Sequence, residues 1–243
     1  TKKLRLCVSR YNRQVIWRDL GICVKPTLRL CAEIIGLFCA HTQNDWMRIA
    51  LNARHMLEDR LEGLGIVTDE VMGRMAKSHP EDQFDYYFDP KYDQRFVHST
   101  NVTPHTKHPV TRLPILIRYW LDHPVRKDVV KQKANVFFSP DGFIPLGMGI
   151  PKVSMVHDVA YLRYPEHLQP RIRSFYKKWM PRYLAYTDHI ITVSEFSKRE
   201  IIAGYNIPAD KISVVYNGIT NAYKPVSEEQ KKYNKKIGAE NYL

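Results

Sequence analysis

A chain of 243 residues with 44% hydrophobic content can bury a sizeable core, which makes a globular protein the default reading. Its formal charge of +12 draws the surface toward phosphates, whether in nucleic acid, anionic lipid or a phosphorylated small molecule, without choosing among them. All four cysteines (Cys7, Cys23, Cys31, Cys39) precede residue 40 and none forms a Cys-x-x-Cys pair, so neither a disulfide framework nor a zinc site is expected and a reducing cytoplasm fits.

The longest apolar run, Leu28 to Ala40, is interrupted by Arg29 and Glu33 and is much shorter than the roughly 20 residues of a membrane span. No transmembrane helix is expected. A signal peptide is not expected either, because the apolar stretch starts late and no small-residue cleavage pattern follows it. Residues 1–46 carry Trp17, Trp46 and scattered arginines without a helical or strand period, and read as an appended piece. They are open to two readings, a short basic helix that docks on something acidic or sequence from upstream of the true start at Met47.

From Met47 onward, strand-like and helix-like runs alternate. The first strand, Arg48 to Ala53, leads to the glycine turn Leu61-Glu-Gly-Leu-Gly65, after which Ile66, Val67, Val71 and Met75 form the stripe of a helix ended by His79-Pro80. A strand follows at Phe84 to Phe88. Tyr92 to Pro114 is polar and reads as a surface loop; its histidines His98, His105 and His108, with His123 beyond it, lack the spacing of a metal site. Strands are then expected at Asn135 to Ser139, Lys152 to Val156, His189 to Val193 and Ile212 to Tyr216. Between them lie a helix from about Arg171 to Tyr186, with Ile172, Phe175, Tyr176, Trp179 and Tyr183 on one face, and another from the N-cap Ser194 to Gly204. This alternation implies an α/β fold with a Rossmann-like parallel sheet covered on both faces. A Lys- and Glu-rich stretch after Pro225 reads as a linker over residues 227–243, so the domain proper is residues 47–226.

In such sheets ligands bind at the carboxyl edge, where His157 and Asp158 end one strand and Ser194 and Glu195 another. Packing of His157 against the loop from Tyr161 to Pro165, and plain helix capping by Ser194, are equally open. Gly63 and Gly65 place backbone amides at a helix start where an anionic phosphate can sit. Thr68 stands where a dinucleotide fingerprint needs its third glycine, and Asp89, which follows the next strand, is trailed by Pro90, which disfavours a nicotinamide cofactor.

The series Arg48-Ile-Ala-Leu-Asn-Ala-Arg54, Glu62-Gly-Leu-Gly65, Ser139-Pro-Asp-Gly142, Val156-His-Asp158, Val193-Ser-Glu-Phe-Ser-Lys198 and Ile212-Ser-Val-Val-Tyr-Asn-Gly218 resembles the N-terminal domain of family 4 glycosyltransferases of the GT-B fold. The resemblance implies a retaining transferase that moves a sugar from a nucleotide-sugar donor to a glycan or lipid-linked acceptor in cell-surface polysaccharide or glycolipid synthesis. It implies that Gly63 and Gly65 approach the donor phosphates, that His157 lies beside the transferred sugar as the catalytic residue, and that Ser194, Glu195, Asn217 and Gly218 line the cleft and hinge. The family's nucleotide pocket and Glu-x7-Glu pair belong to a second domain, whose first strand is expected just after Leu243, so this chain alone is expected to be inactive. Glu62 and Glu70 match the pair's spacing but fall on the glycine turn and first helix, and read as coincidence. Thr111-Arg-Leu-Pro114 replaces an Ala-Arg-His-Pro element of similar sequences, keeping Arg112 and losing the histidine.

No Asp-x-Asp occurs, so no metal and no cofactor is expected beyond the donor substrate. The basic helix face of Arg171, Arg173, Lys177, Lys178 and Arg182 suits an anionic membrane surface, consistent with a cytoplasmic protein peripheral to the inner face of the plasma membrane, or else is an ordinary solvated face. No nucleic acid partner is expected, since no recognition helix or aromatic platform accompanies the charge. A nucleic-acid module and a non-catalytic remnant that binds acceptor, membrane or nucleic acid remain the rival readings.

Overall fold

The structure, a computed structural model, describes residues 46–57, 61–89 and 91–218. The expected appendage (apart from residue 46) and the linker lie outside the described residues. Seven strands form one parallel sheet: β1 (Arg48–Asn52), β2 (Gln83–Phe88), β3 (Val102–Thr106), β4 (Val136–Ser139), β5 (Lys152–Met155), β6 (His189–Thr192) and β7 (Ile212–Val214). Their order is β3-β2-β1-β4-β5-β6-β7. The chain steps outward from β1 to β3, then returns to build β4 on the other side of β1. Direction therefore reverses between β1 and β4, and the carboxyl ends of these two strands border a crevice at the switch point.

Residues alternate across the sheet with period two. Ile49, Leu51, Phe84, Tyr86, Phe88 and Phe138 face one side, where helix α1 (Gly63–Ser78) covers them with Val71, Met72 and Met75. Ala50, Tyr87, Phe137 and Ile190 face the other side. There they meet Ile117 and Trp120 of α2 (Pro114–Trp120), Val129 of α3 (Arg126–Lys131), Phe175, Trp179 and Tyr183 of α4 (Pro170–Tyr186) and Ile201 of α5 (Glu195–Tyr205). Among the described residues no helix is long and apolar enough to cross a membrane.

The structure departs from the sequence reading in three places. Ile66 lies on the outer side of α1 at 42% exposure, and the buried stripe runs through Thr68, Val71, Met72, Met75 and Ala76 instead. A continuous rod also follows Pro114, in which a π-helical turn, Leu121–Val125, joins α2 to α3. Pro124 cannot donate a helical hydrogen bond, and the wider π turn absorbs it. Finally, the polar stretch read as a surface loop contains β3, an edge strand, where Pro104 removes no hydrogen bond the sheet needs.

Two histidines of that stretch, His98 and His105, are cross-links. His105 reaches Asp85 of β2 (2.8 Å) and Asp128 of α3 (3.3 Å), and the Lys107 ammonium lies 3.1 Å from Asp128, so the edge strand is tied to its neighbours by largely buried polar contacts. His98 pairs with Asp69 of α1 at 2.7 Å and lies flat over Gly73. A Cβ on Gly73 would stand 2.7 Å from the imidazole, so glycine here permits the helix and the His98 loop to touch. Gly73→Ala is expected to lower stability by about 1 kcal/mol, overpacking outweighing the helix propensity gained. In a His98→Ala background the same change should raise stability by about 0.5–1 kcal/mol, and chemical denaturation of the four variants checks the reversal of sign.

Candidate active site at the switch point

The residue that organises the crevice is Asp141, just past β4, with a side chain 4% exposed. Its Oδ1 accepts from the Asn52 amide nitrogen (3.0 Å) and the Phe143 backbone amide (3.1 Å); its Oδ2 accepts from Arg54 Nε (2.8 Å) and His55 Nε2 (2.8 Å). Ser139 Oγ lies 2.7 Å from Asp141 Oδ1 and 2.6 Å from the Phe143 carbonyl, and its one proton goes to either. Burial opposes ionisation of Asp141, but the Arg54 guanidinium, followed by His55 and Ser139, outweighs it and holds the carboxyl far below the usual carboxylate range.

Local sequence explains the placement. Asn52 is the last residue of β1 and Arg54 and His55 continue the chain beyond it, while Ser139-Pro-Asp-Gly142 turns sharply off β4 through the left-handed Gly142 (φ 79°), which brings Asp141 back over the sheet edge. The Arg54 guanidinium also lies 5.3 Å from the Phe143 ring centroid, and Phe143 packs against Phe175, Tyr176 and Tyr183 of α4. Burial, and next the charge of Asp141, raise the Tyr176 hydroxyl pKa, so it stays a neutral donor beside the cluster.

His157 stands at the end of β5, half-buried at the same edge. Burial pushes its pKa below the ordinary imidazole value, more than the Pro140 carbonyl, Asp158 and Asp141 raise it. Its Nε2 is buried without a hydrogen-bond partner among the described residues. With the Pro140 carbonyl accepting from the other ring nitrogen, the neutral ring presents Nε2 as a bare acceptor, suited to a hydroxyl group.

The remaining residues expected from sequence occupy the same carboxyl edge. α1 starts after Glu62 with no side-chain cap and no acidic residue in its first turn, and Gly63 has open space around its Cα. Gly65 is buried, and a Cβ there would lie 2.6 Å from the His55 carbonyl oxygen; this glycine lets α1 approach the β1 extension. Ser194 caps α5 by accepting from the Ser197 amide (3.0 Å), which leaves Glu195 exposed in the first turn. Asn217 and Gly218 are exposed beyond β7. Glu70 pairs with Arg74 at 2.7 Å on the outer face of α1, away from the crevice. Arg112 is exposed, and Thr111 beside it is fastened to Asp89. At the amino edge His79, Glu81 and Asp82 come close enough to share a cation, yet Asp82 already accepts the Met47 amide at 2.7 Å.

Asn52, Arg54, His55, Asp141 and Tyr176 were not among the site residues expected from sequence, although Asn52, Arg54 and Asp141 fall within motifs that carried the resemblance. A parallel α/β sheet with a charged, partly desolvated crevice at its switch point defines a ligand-binding domain of the Rossmann-like class. Residues 64–222 match the profile of Glycosyltransferase Family 4, and the chain belongs to that family.

Among its relatives is the O-antigen chain mannosyltransferase B of Escherichia coli, 32% identical over 120 residues, a match that takes in 48% of this chain and 31% of the relative. Similar solved structures include a lipopolysaccharide outer core galactosyltransferase in its apo form (16% identity, TM-score 0.47, covering 72% of this chain and 46% of that one). Another is the Anabaena protein HepE in complex with UDP and glucose (18% identity, TM-score 0.47, covering 80% and 51%). The chain thus spans about half the length of these structures and less of the mannosyltransferase.

Replacement of Asp141 by asparagine leaves Arg54, 9% exposed, without its counter-charge, and is expected to cost about 3 kcal/mol of unfolding free energy. Because the folded carboxyl titrates below its unfolded value of about 4, the advantage of the wild type over Asp141→Asn is complete above that value and shrinks as pH falls through it toward the folded one. Urea denaturation of both proteins from pH 7 down to pH 3 measures the convergence.

Proposed function

We propose that this chain forms the acceptor-side domain of a retaining, nucleotide-sugar-dependent glycosyltransferase that acts in cell-surface polysaccharide or glycolipid synthesis at the cytoplasmic face of a membrane. Family membership supports the reaction class, and the relative named for O-antigen chain mannosyl transfer supports the kind of product. The observation that carries the reading is the pairing, at one switch point, of a bare imidazole acceptor on His157 with a fixed Arg54–Asp141–His55 cluster.

Transfer from a sugar nucleotide separates charge: negative on the leaving diphosphate, positive on the ring. The uncapped start of α1 directs its first amides, including those of Gly63 and Gly65, toward the leaving diphosphate, the task a helix amino terminus performs for phosphates. His157 Nε2 accepts from a sugar hydroxyl and orients the ring. Asp141 does not touch the sugars in this scheme; it positions Arg54 and His55, whose donors face the acceptor. Ser194, Glu195, Asn217 and Gly218 line the side of the cleft toward β6 and β7. This reading includes no divalent cation; the helix amino terminus stabilises part of the leaving charge. The exposed Arg171, Arg173, Lys177, Lys178 and Arg182 of α4 form a basic face for an anionic membrane that carries the acceptor.

Transfer assays of the full-length protein with a panel of UDP- and GDP-sugars test this reading. His157→Ala should lower kcat/KM about ten- to hundred-fold, the worth of one hydrogen bond in the transition state, and EDTA should leave the rate unchanged. Since burial keeps His157 neutral, the wild-type rate should hold as pH falls through 6.5 and decline only below it. Unchanged transfer by His157→Ala would remove the imidazole from the mechanism.

A further inference from the structure

On the side of the molecule that carries α2, α3 and α4, a cavity of about 620 Å³ opens between the α2–π–α3 rod and the loop that leads into β5. It borders the amino end of β5, the opposite edge from His157, so its occupant does not compete with the crevice. Its lining includes His108, Tyr119, His123, Arg126 and Lys127. One carboxylate, Asp122, shares the wall, but its oxygens are already taken by Arg118 Nε (3.2 Å) and the Leu146 amide (2.8 Å). Among the described residues neither Arg126 nor Lys127 pairs with a carboxylate. Arg126 is held by the Leu146 carbonyl (3.1 Å), and Gly147, in the left-handed region (φ 73°), brings the loop against the guanidinium, where a Cβ would stand 3.1 Å away. The cavity is therefore cationic, with part of its charge fixed in place.

Exposed apolar side chains lie at its margin. Ile115 and Tyr119 lie one above the other on α2 at 57% and 52% exposure, the Tyr119 ring continues to His123 at 4.7 Å, and Val130, 58% exposed, closes the far side. Next to this ridge, Arg118 stacks on Trp179 at 3.8 Å, and Lys178 and Arg182 of α4 approach the same ring at 5.5 and 4.7 Å. A free phosphate in water needs the cations alone. An amphiphile needs cations with apolar side chains beside them at one level, the arrangement by which interfacial helices hold anionic lipid.

We propose that this cavity is a binding site for the phosphate headgroup of an anionic phospholipid, with Ile115, Tyr119 and Val130 seated among the acyl-chain ends. The proposal rests on the membrane-docking part of the function given above and names where the contact becomes specific. Bulk charge on α4 brings the protein to the surface; the cavity fixes its orientation.

The test uses the full chain with two probes, short-chain phosphatidylglycerol below its micelle concentration, followed by NMR of the His123 and Tyr119 rings, and vesicles of phosphatidylcholine with or without phosphatidylglycerol, followed by sedimentation. Gly149→Phe fills the cavity without changing charge, since a Cβ at Gly149 meets open space. Lys127→Glu reverses a charge in the cavity, and Lys177→Glu reverses one on α4 outside it. The soluble lipid should shift both rings in the wild type, not in Gly149→Phe; Lys127→Glu should reduce partition onto anionic vesicles about five-fold or more, the weight of roughly 1 kcal/mol per interfacial charge, and Gly149→Phe should reduce it by closing the cavity to the headgroup.

If Lys177→Glu loses vesicle binding while Gly149→Phe and Lys127→Glu bind like the wild type, docking stands and the cavity site is overturned. If inorganic phosphate shifts the rings as strongly as the lipid, the site belongs to free phosphate and the lipid assignment is overturned. If the wild type shows no preference for anionic vesicles, the docking reading itself falls, and the cavity site falls with it.

Discussion

The carboxylate of Asp141 is the constraint around which the rest of the crevice is arranged. It is a charge removed from water, which is unfavourable unless donors replace the lost hydration. Here Asn52, Arg54, His55 and the Phe143 amide supply them, drawn from the ends of the two strands that flank the switch point. The same bonds that satisfy the carboxylate fix the direction of Arg54 and His55, join β1 to the loop after β4, and press Phe143 into the aromatic cluster on α4. A site that must hold its donors still before substrate arrives is well served by a buried anion of this kind, because preorganised donors cost no reorganisation when charge develops.

The six strands with runs of β-branched and aromatic residues were legible in the sequence, as was α4, whose apolar stripe of Phe175, Trp179 and Tyr183 is the one the sheet buries. Legibility failed where local signals conflict with the tertiary setting. β3 reads Val-Thr-Pro-His-Thr, and only its place at the sheet edge makes Pro104 acceptable. The rod after Pro114 holds a second proline, and its helical period is shifted by the π turn that accommodates it, so no single period runs through it. Ile66 reads as inward-facing because it is apolar, although Thr68 and Met72 take buried positions of α1.

The candidate site was half legible for a related reason. His157, Ser194, Glu195, Asn217 and Gly218 each follow directly on a strand end, and strand ends can be found in one dimension. Arg54 and Asp141 are 87 positions apart in sequence, and nothing in either segment announces that β1 and β4 become neighbours. Only the order β3-β2-β1-β4 brings them into contact. Gly65 shows the reverse: its position is evident in the sequence, and the structure adds that its missing Cβ makes room for the His55 carbonyl.

The most direct test of the account is amide hydrogen exchange of the full-length protein with and without its nucleotide-sugar and a glycan acceptor. Within the described residues, binding at the switch point predicts added protection at residues 52–57, 63–67, 139–143 and 156–158, with any further protection at the cleft residues 194–195 and 217–218. Protection confined to the outer faces of α2 to α5, with those four segments unchanged by either substrate, would contradict it.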